Sequence, residues 1–278
     1  MRVAALASPF ELLETYRATI AAMRSRGPIL VALSGGVDSG LVARLAHDAL
    51  PDESLAVVAD SESLARPELA DALSTAKEVG IPVRVVRLAE LSNESYVANP
   101  RNRCYFCRAE LGKVLKPLAE ELGYPTIADG VNLSDLGDFR PGIQAMTEAG
   151  FWHPLVEFGL TKDHVRELAR KLGLSFHAKP SNACLSSRIA YGELITGEKL
   201  QRVESAEEGL RALGFRVVRV RSNESTARIE VLKEDIPRLV SPGLLEQVEG
   251  IVRSAGFAHV IVDPRGYRSG SMNEDVSK

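Results

Sequence analysis

At 278 residues, with a net charge of -3 and a pI near 6.0, the chain is long enough for an α/β core with a smaller second domain. It carries no excess of positive charge to draw it to nucleic acid or to an anionic membrane, and no run reaches the roughly 18 apolar residues of a membrane span. The opening stretch MRVAALASPFELLETYRATI contains acids and lacks a long apolar core, so it reads as a capped amphipathic helix and not as a secretion signal. A cytoplasmic protein is expected. Its three cysteines, Cys104, Cys107 and Cys184, are too few and of the wrong parity for a disulfide framework. In a reducing compartment they read as ligands or reactive thiols.

Residues 29–33 form an apolar run that reads as a buried strand. It breaks into Ser34-Gly35-Gly36-Val37-Asp38-Ser39, and a helix is expected over 40–50. A strand that gives way to Ser-Gly-Gly and then to a helix builds a nest of backbone N–H groups suited to an anion, with phosphate the obvious one. The two glycines allow a sharp turn and close approach, while Ser34, Asp38 and Ser39 add helix-start and hydroxyl contacts. A second strand over 55–59 ends at Asp60-Ser61. A helix follows over Arg66–Val79, stopped by Gly80, and then a third strand over Val83–Leu88. Strands alternating with helices imply a parallel sheet covered on both faces, with ligands at the carboxyl ends of the strands. Asp60 then shares a rim with the glycine loop.

From Pro100 a polar run leads to Cys104 and Cys107, expected on a loop ahead of a helix over 108–122. The Cys-x-x-Cys spacing brings two sulfurs within reach of one metal centre; the alternative is a thioredoxin-type redox pair, although no strand feeds directly into it. A fourth strand over 125–128 runs into DGVNLSD, where Asn132 and Asp135 could reach a nucleotide or merely cap a turn. Phe139-Arg140-Pro141-Gly142 reads as a loop with a cation, and His153 and His164 read as structural or exposed. Thr161 is the expected N-cap of a helix over 165–172, stopped at Gly173. In the segment KPSNACLSSR, Cys184 has Lys179 and Arg188 close by in sequence and no apolar periodicity, so a lowered thiol pKa is credible beside the plain reading of a small buried residue. From about Thr196 an α-β-β-α-β order points to a separate small α+β domain, giving domains over 1–190 and 191–278. On its first strand Arg219 and Arg221 share a face. They could clamp a phosphate or belong to a solvated edge. The tail after Gly270 reads as disordered.

SGGVDS in this setting resembles the PP-loop of ATP pyrophosphatases. With DGVNLSD, FRPG, HPL, LTK, KPSNACLSSRI, RVR and ARIEV, the chain resembles the LarE group of PP-loop sulfur transferases over most of its length. The resemblance implies an adenine-nucleotide α-hydrolase-like doubly wound parallel sheet with a smaller carboxy-terminal domain. It implies ATP and Mg as cofactors, pyridinium-3,5-dicarboxylic acid mononucleotide as the small-molecule substrate, and a homo-oligomer working beside other enzymes of nickel-pincer cofactor synthesis. Ser34, Gly35, Gly36, Val37 and Ser39 would hold the pyrophosphate, Asp38 would orient the loop or reach Mg, and Arg219 and Arg221 would take the substrate's phosphate. Members of the group differ in sulfur source. Some sacrifice the sulfur of the cysteine matching Cys184, whereas others hold a 4Fe-4S cluster on three cysteines that carries sulfide from a donor. Cys104, Cys107 and Cys184, with no fourth cysteine, favour the cluster type. The chain departs from the group in having His177-Ala178 where a Trp is common before the Lys-Pro. The nearest rival is a tRNA thiolase, against which the negative charge counts; an amide-forming ligase and a non-catalytic nucleotide-binding module are further readings.

Overall fold

The computed structural model describes residues 9–137, 140–180 and 183–268. The first eight residues, Phe139 of FRPG, Ser181 and Asn182 of KPSNACLSSR, and the tail after Gly270 lie outside the described residues. The chain divides into two compact units, one from residues up to 89 with 102–182, the other from 90–101 with residues from 183 on.

The first unit opens with α1 (Pro9–Arg26), β1 (Ile29–Ala32), α2 (Val37–Ala49), β2 (Ser54–Ser61), α3 (Arg66–Val79) and β3 (Val83–Leu88). The chain then lends α4 (Glu94–Val97) to the second unit and returns as α5 (Arg103–Leu122), β4 (Thr126–Ala128), α6 (Pro141–Glu148), α7 (Pro154–Glu157) and α8 (Lys162–Lys171). Four parallel strands lie in the order β3-β2-β1-β4. Alternation along β1 explains why both faces must be covered. Ile29 and Val31 pack with residues of α1, α2, α3 and α8, whereas Leu30 packs on the opposite face with Leu111 and Leu115 of α5 and with Met146 of α6. The doubly wound sheet expected from the alternating pattern is therefore present.

Several expected elements change their bounds. α2 begins at Val37, three residues earlier than the apolar period suggested, so Asp38 and Ser39 lie in its first turn. The second unit carries α9 (Gly197–Ala212), β5 (Val218–Asn223), β6 (Thr226–Val231), α10 (Ile236–Leu239), α11 (Pro242–Ser254) and β7 (His259–Val262). Its sheet is ordered β5-β6-β7, with β5 antiparallel and β7 parallel to β6. The second helix of the α-β-β-α-β order is split at Val240-Ser241, because Pro242 cannot donate a backbone hydrogen bond and is accommodated as the first residue of a new helix. No helix among the described residues is long and apolar enough to cross a membrane.

Candidate active site

In the first unit, the buried β1 ends at the loop that turns into α2. Gly35 sits at φ +72°, and a Cβ there would lie 2.9 Å from the backbone of Ala72, so both conformation and space demand glycine. Gly36 is the extended N-cap of α2 and has no side chain to occupy the first-turn N–H groups. Those donors sit at the positive end of a 13-residue helix. The Ser39 hydroxyl accepts from the Ser34 N–H at 3.1 Å, lies 3.0 Å from the Ser34 hydroxyl, and stands 3.3 Å from the Gly36 carbonyl oxygen to which it donates. The two serines thus brace the loop from inside. The turn after β4 presses on the same helix start: a Cβ at Gly130 would fall 2.5 Å from the Ser39 nitrogen. Asp129 stiffens that turn by accepting from the Val131 N–H at 3.1 Å and pairing with His153 Nδ1 at 2.8 Å, which is the structural role expected for His153.

Asp38 has two partners drawn from distant segments. Asn132 Nδ2 donates to Asp38 Oδ1 at 3.3 Å, and the ammonium of Lys162 pairs with Asp38 Oδ2. Asn132 is itself fixed, its N–H on Asp135 Oδ2 at 3.1 Å and its Oδ1 accepting from the Ser134 N–H at 2.9 Å. Lys162, part of the LTK motif, is not among the site residues expected from the sequence, although a cation at the first residue of a helix opposes the helix dipole and needs an anionic partner. Asp60 ends β2 on the same carboxyl rim of the sheet and pairs with Arg66 at 2.7 Å.

The Cys-x-x-Cys motif is not on a loop. Cys104 and Cys107 lie in the first turn and a half of α5, three residues apart and so on one helix face. Helical geometry extends back to Arg103, and α6 comes close to these first turns. Gly142 permits that approach, since a Cβ there would meet Arg108 Cγ at 2.9 Å and the Cys104 carbonyl at 3.2 Å. Pro141 and Gly142 accordingly start α6 instead of forming the expected loop, and Arg140 before them pairs with Asp135 at 2.7 Å. All three cysteines are thiols, Cys104 exposed and the other two half-buried. Among the described residues no group of three His, Cys, Asp or Glu side chains gathers to hold a metal ion.

In the second unit, the backbone at Cys184 is held by Arg188. Its Nη1 donates to the carbonyls of Ala183 and, at 2.8 Å, Cys184, and the Ser187 hydroxyl donates to the Cys184 carbonyl at 2.7 Å. Arg188 is 1% exposed and forks onto Glu207 at 2.9 and 3.1 Å. Burial opposes ionisation of Glu207, yet the guanidiniums of Arg188, Arg219 and Arg211 together hold its carboxyl below the ordinary glutamate value. Stability drawn from this group is complete above the unfolded glutamate's pKa and is lost as pH falls through the lowered folded value. Arg188→Met should therefore destabilise the protein by about 3–5 kcal/mol at neutral pH and by less in acid, as read by denaturant unfolding at several pH values.

The structure joins Arg221 to the same cluster. Arg221 donates to Glu230 Oε2 at 3.0 and 2.9 Å and to the Ser187 carbonyl at 3.1 Å. Arg219 stacks on Tyr267 at 5.3 Å and donates to the Val218 carbonyl at 2.8 Å. Burial, then the charge of Arg188, lowers its pKa against the pull of Glu207. Both arginines are under a tenth exposed, which removes the solvated-edge reading.

The chain's relatives agree with this geometry. The NAD synthase family matches residues 11–102, which span the glycine loop and the first three strands. An uncharacterized protein of Synechocystis is 48% identical over 90% of this chain and 93% of its own. The pyridinium-3,5-bisthiocarboxylic acid mononucleotide synthase of Lactiplantibacillus plantarum is 37% identical over 96% of each chain. A tRNA-specific 2-thiouridylase of Rickettsia africae is more distant, 27% identical over 55% of this chain and 52% of its own. Sheet, loop and helix start define an α/β ATP-using protein of the PP-loop class. Within that class the chain belongs to the LarE family of pyridinium-3,5-bisthiocarboxylic acid mononucleotide synthases, ATP-dependent sulfurtransferases that use Mg.

Proposed function

We propose that this protein adenylates the carboxylates of pyridinium-3,5-dicarboxylic acid mononucleotide and replaces one oxygen of each with sulfur. The observation that carries this reading is that a loop shaped for the phosphates of ATP and a thiol loop clamped by buried charges occur in one chain, aligned end to end with a synthase of the bisthiocarboxylic product. A substrate carboxylate attacks the α-phosphate of ATP, the phosphoanhydride bond breaks, and pyrophosphate leaves, held by the N–H groups of Gly35, Gly36 and Val37 with Ser34 and Ser39. Asp38 would hold Mg, which would supply charge neutralisation at the phosphates, and Lys162, its present partner, would then be available to the nucleotide. Sulfide then adds to the acyl carbon and the acyl C–O bond breaks. AMP departs and a proton is released. Asp60 and Asn132 complete the nucleotide rim, and Arg219 and Arg221 take the substrate's own phosphate.

For the sulfur source we favour a 4Fe-4S cluster on Cys104, Cys107 and Cys184. What supports it is the donor set, three thiols outside any disulfide that can each bind one iron and leave a fourth to carry sulfide, although among the described residues no such group of ligands is gathered. Anaerobic purification should then yield a brown protein with about four irons per chain, and a colourless, iron-free protein would instead support sacrifice of the Cys184 sulfur. The family likeness also implies a homo-oligomer that passes its product to other enzymes, which light scattering and pull-down would test.

Arg221→Ala confounds binding with folding, because it strands the buried Glu230 carboxylate at a cost of about 3–5 kcal/mol. Arg219→Lys is the cleaner probe. A lysine cannot reproduce a planar fork, so KM for the mononucleotide should rise about tenfold with KM for ATP unchanged. An equal rise in both would rule out the phosphate role.

A further inference from the structure

Lys179 is the remaining ammonium at the nucleotide loop. Its Nζ has three protons and three acceptors: the Gly35 carbonyl at 3.1 Å, Glu68 Oε2 at 3.3 Å and Asp71 Oδ2 at 2.7 Å. Glu68 stands in the first turn of α3, where an acid is already favoured by the helix dipole, and Asp71, one turn further on, is half-exposed to water. They do not require a lysine for their own sake, which leaves the contact with a loop carbonyl as the informative one. The Gly35 carbonyl and the Gly36 N–H belong to one planar trans peptide and point in opposite directions. Holding the carbonyl on Lys179 therefore aims the Gly36 N–H away from it, into the anion nest. The peptide cannot retreat, because the Gly35 Cα is backed by Ala72.

The other end of Lys179 is equally fixed. Arg166 donates to the carbonyl of His177 at 3.0 Å and to that of Lys179 itself at 2.9 Å. Lys179 precedes Cys184 by five positions. We infer that Lys179 is a positioning residue that aims the Gly36 N–H at the nucleotide phosphates and couples occupancy of the loop to the segment leading to Cys184. The inference rests on the reading that the loop binds the phosphates of ATP.

Hydrogen exchange with and without MgATP tests it on the full-length protein. In the wild type, MgATP slows exchange both in residues 34–40 and in residues 175–180. In Lys179→Met the first segment is still protected, the second is not, and MgATP binds about tenfold more weakly. Asp71→Asn, which removes a half-exposed partner and leaves the Gly35 contact, keeps near-wild-type affinity and both protections. A wild type in which residues 175–180 ignore MgATP, or a Lys179→Met variant in which both segments respond as before, overturns the coupling. Equal weakening in Asp71→Asn and Lys179→Met would reduce Lys179 to a structural ion pair and overturn it too. Absence of any protection at 34–40 in the wild type would remove the nucleotide reading itself, and the inference with it.

Discussion

Cys184→Ser should lower thiocarboxylate formation by more than about a thousandfold while leaving carboxylate-dependent ATP–pyrophosphate exchange within a few-fold of wild type. The separation follows from where the two chemistries reside. The glycine loop is set among β1, α2 and the turn after β4, whereas Cys184 belongs to the second compact unit, its carbonyl clamped by Arg188 and Ser187. Serine keeps the backbone clamp, since the hydrogen bonds of Arg188 and Ser187 go to the Cys184 carbonyl, but an alcohol neither binds iron as a thiolate does nor supplies sulfur. The companion variant, with both Cys104 and Cys107 changed to Ser, separates the two sulfur sources. It should abolish transfer if the three thiols hold a cluster. Survival of a single turnover, with loss from the protein of the mass of one hydrogen sulfide, would mark the sacrificial route.

Gly35→Ala should remove nucleotide use altogether. A non-glycine residue at φ +72° costs about 1–3 kcal/mol, and the new methyl group would also stand 2.9 Å from the backbone of Ala72, which lies within α3 and cannot step aside. The loop would have to move, and with it the Gly35 carbonyl and the Gly36 N–H. MgATP affinity should fall at least a hundredfold, about 2.8 kcal/mol, measured by calorimetry, with thermal unfolding as the control for global damage. Gly27→Ala is the matching control, because it shares a positive φ but has nothing within 4 Å of its Cβ. Similar loss of affinity in both would show that the effect is conformational strain in general and not the geometry of the anion nest.

The parts of the molecule visible in the sequence are those whose determinants are local. A five-residue apolar run followed by Ser-Gly-Gly and a helix identifies the loop, because the turn, the nest and the helix start all depend on adjacent residues. Alternation of strands and helices likewise gives the parallel sheet, although α2 starts within the motif and not after it. What stayed hidden depends on partners far along the chain. Lys162 meets Asp38 across 124 positions and Lys179 meets Gly35 across 144, and neither pairing leaves a periodic trace. The start of α5 is not legible in the sequence for a related reason: its first turns carry Cys, Tyr, Phe and Arg without an apolar stripe, and Asn102 makes no side-chain capping hydrogen bond. For Arg219 and Arg221, the period of two fixes the shared face, but the burial depends on Glu230 of the neighbouring strand and on the 185–188 turn. Charge in that cluster is balanced by tertiary contacts that spacing along one strand cannot reveal.

The most direct measurement is an anaerobic single-turnover reaction of the purified protein with MgATP and pyridinium-3,5-dicarboxylic acid mononucleotide, quenched and resolved by mass. AMP and pyrophosphate should appear together, one of each for every oxygen replaced, with the thiocarboxylate formed in the same time course. ATP cleaved without sulfur entering the substrate, or sulfur entering without AMP, would contradict the account.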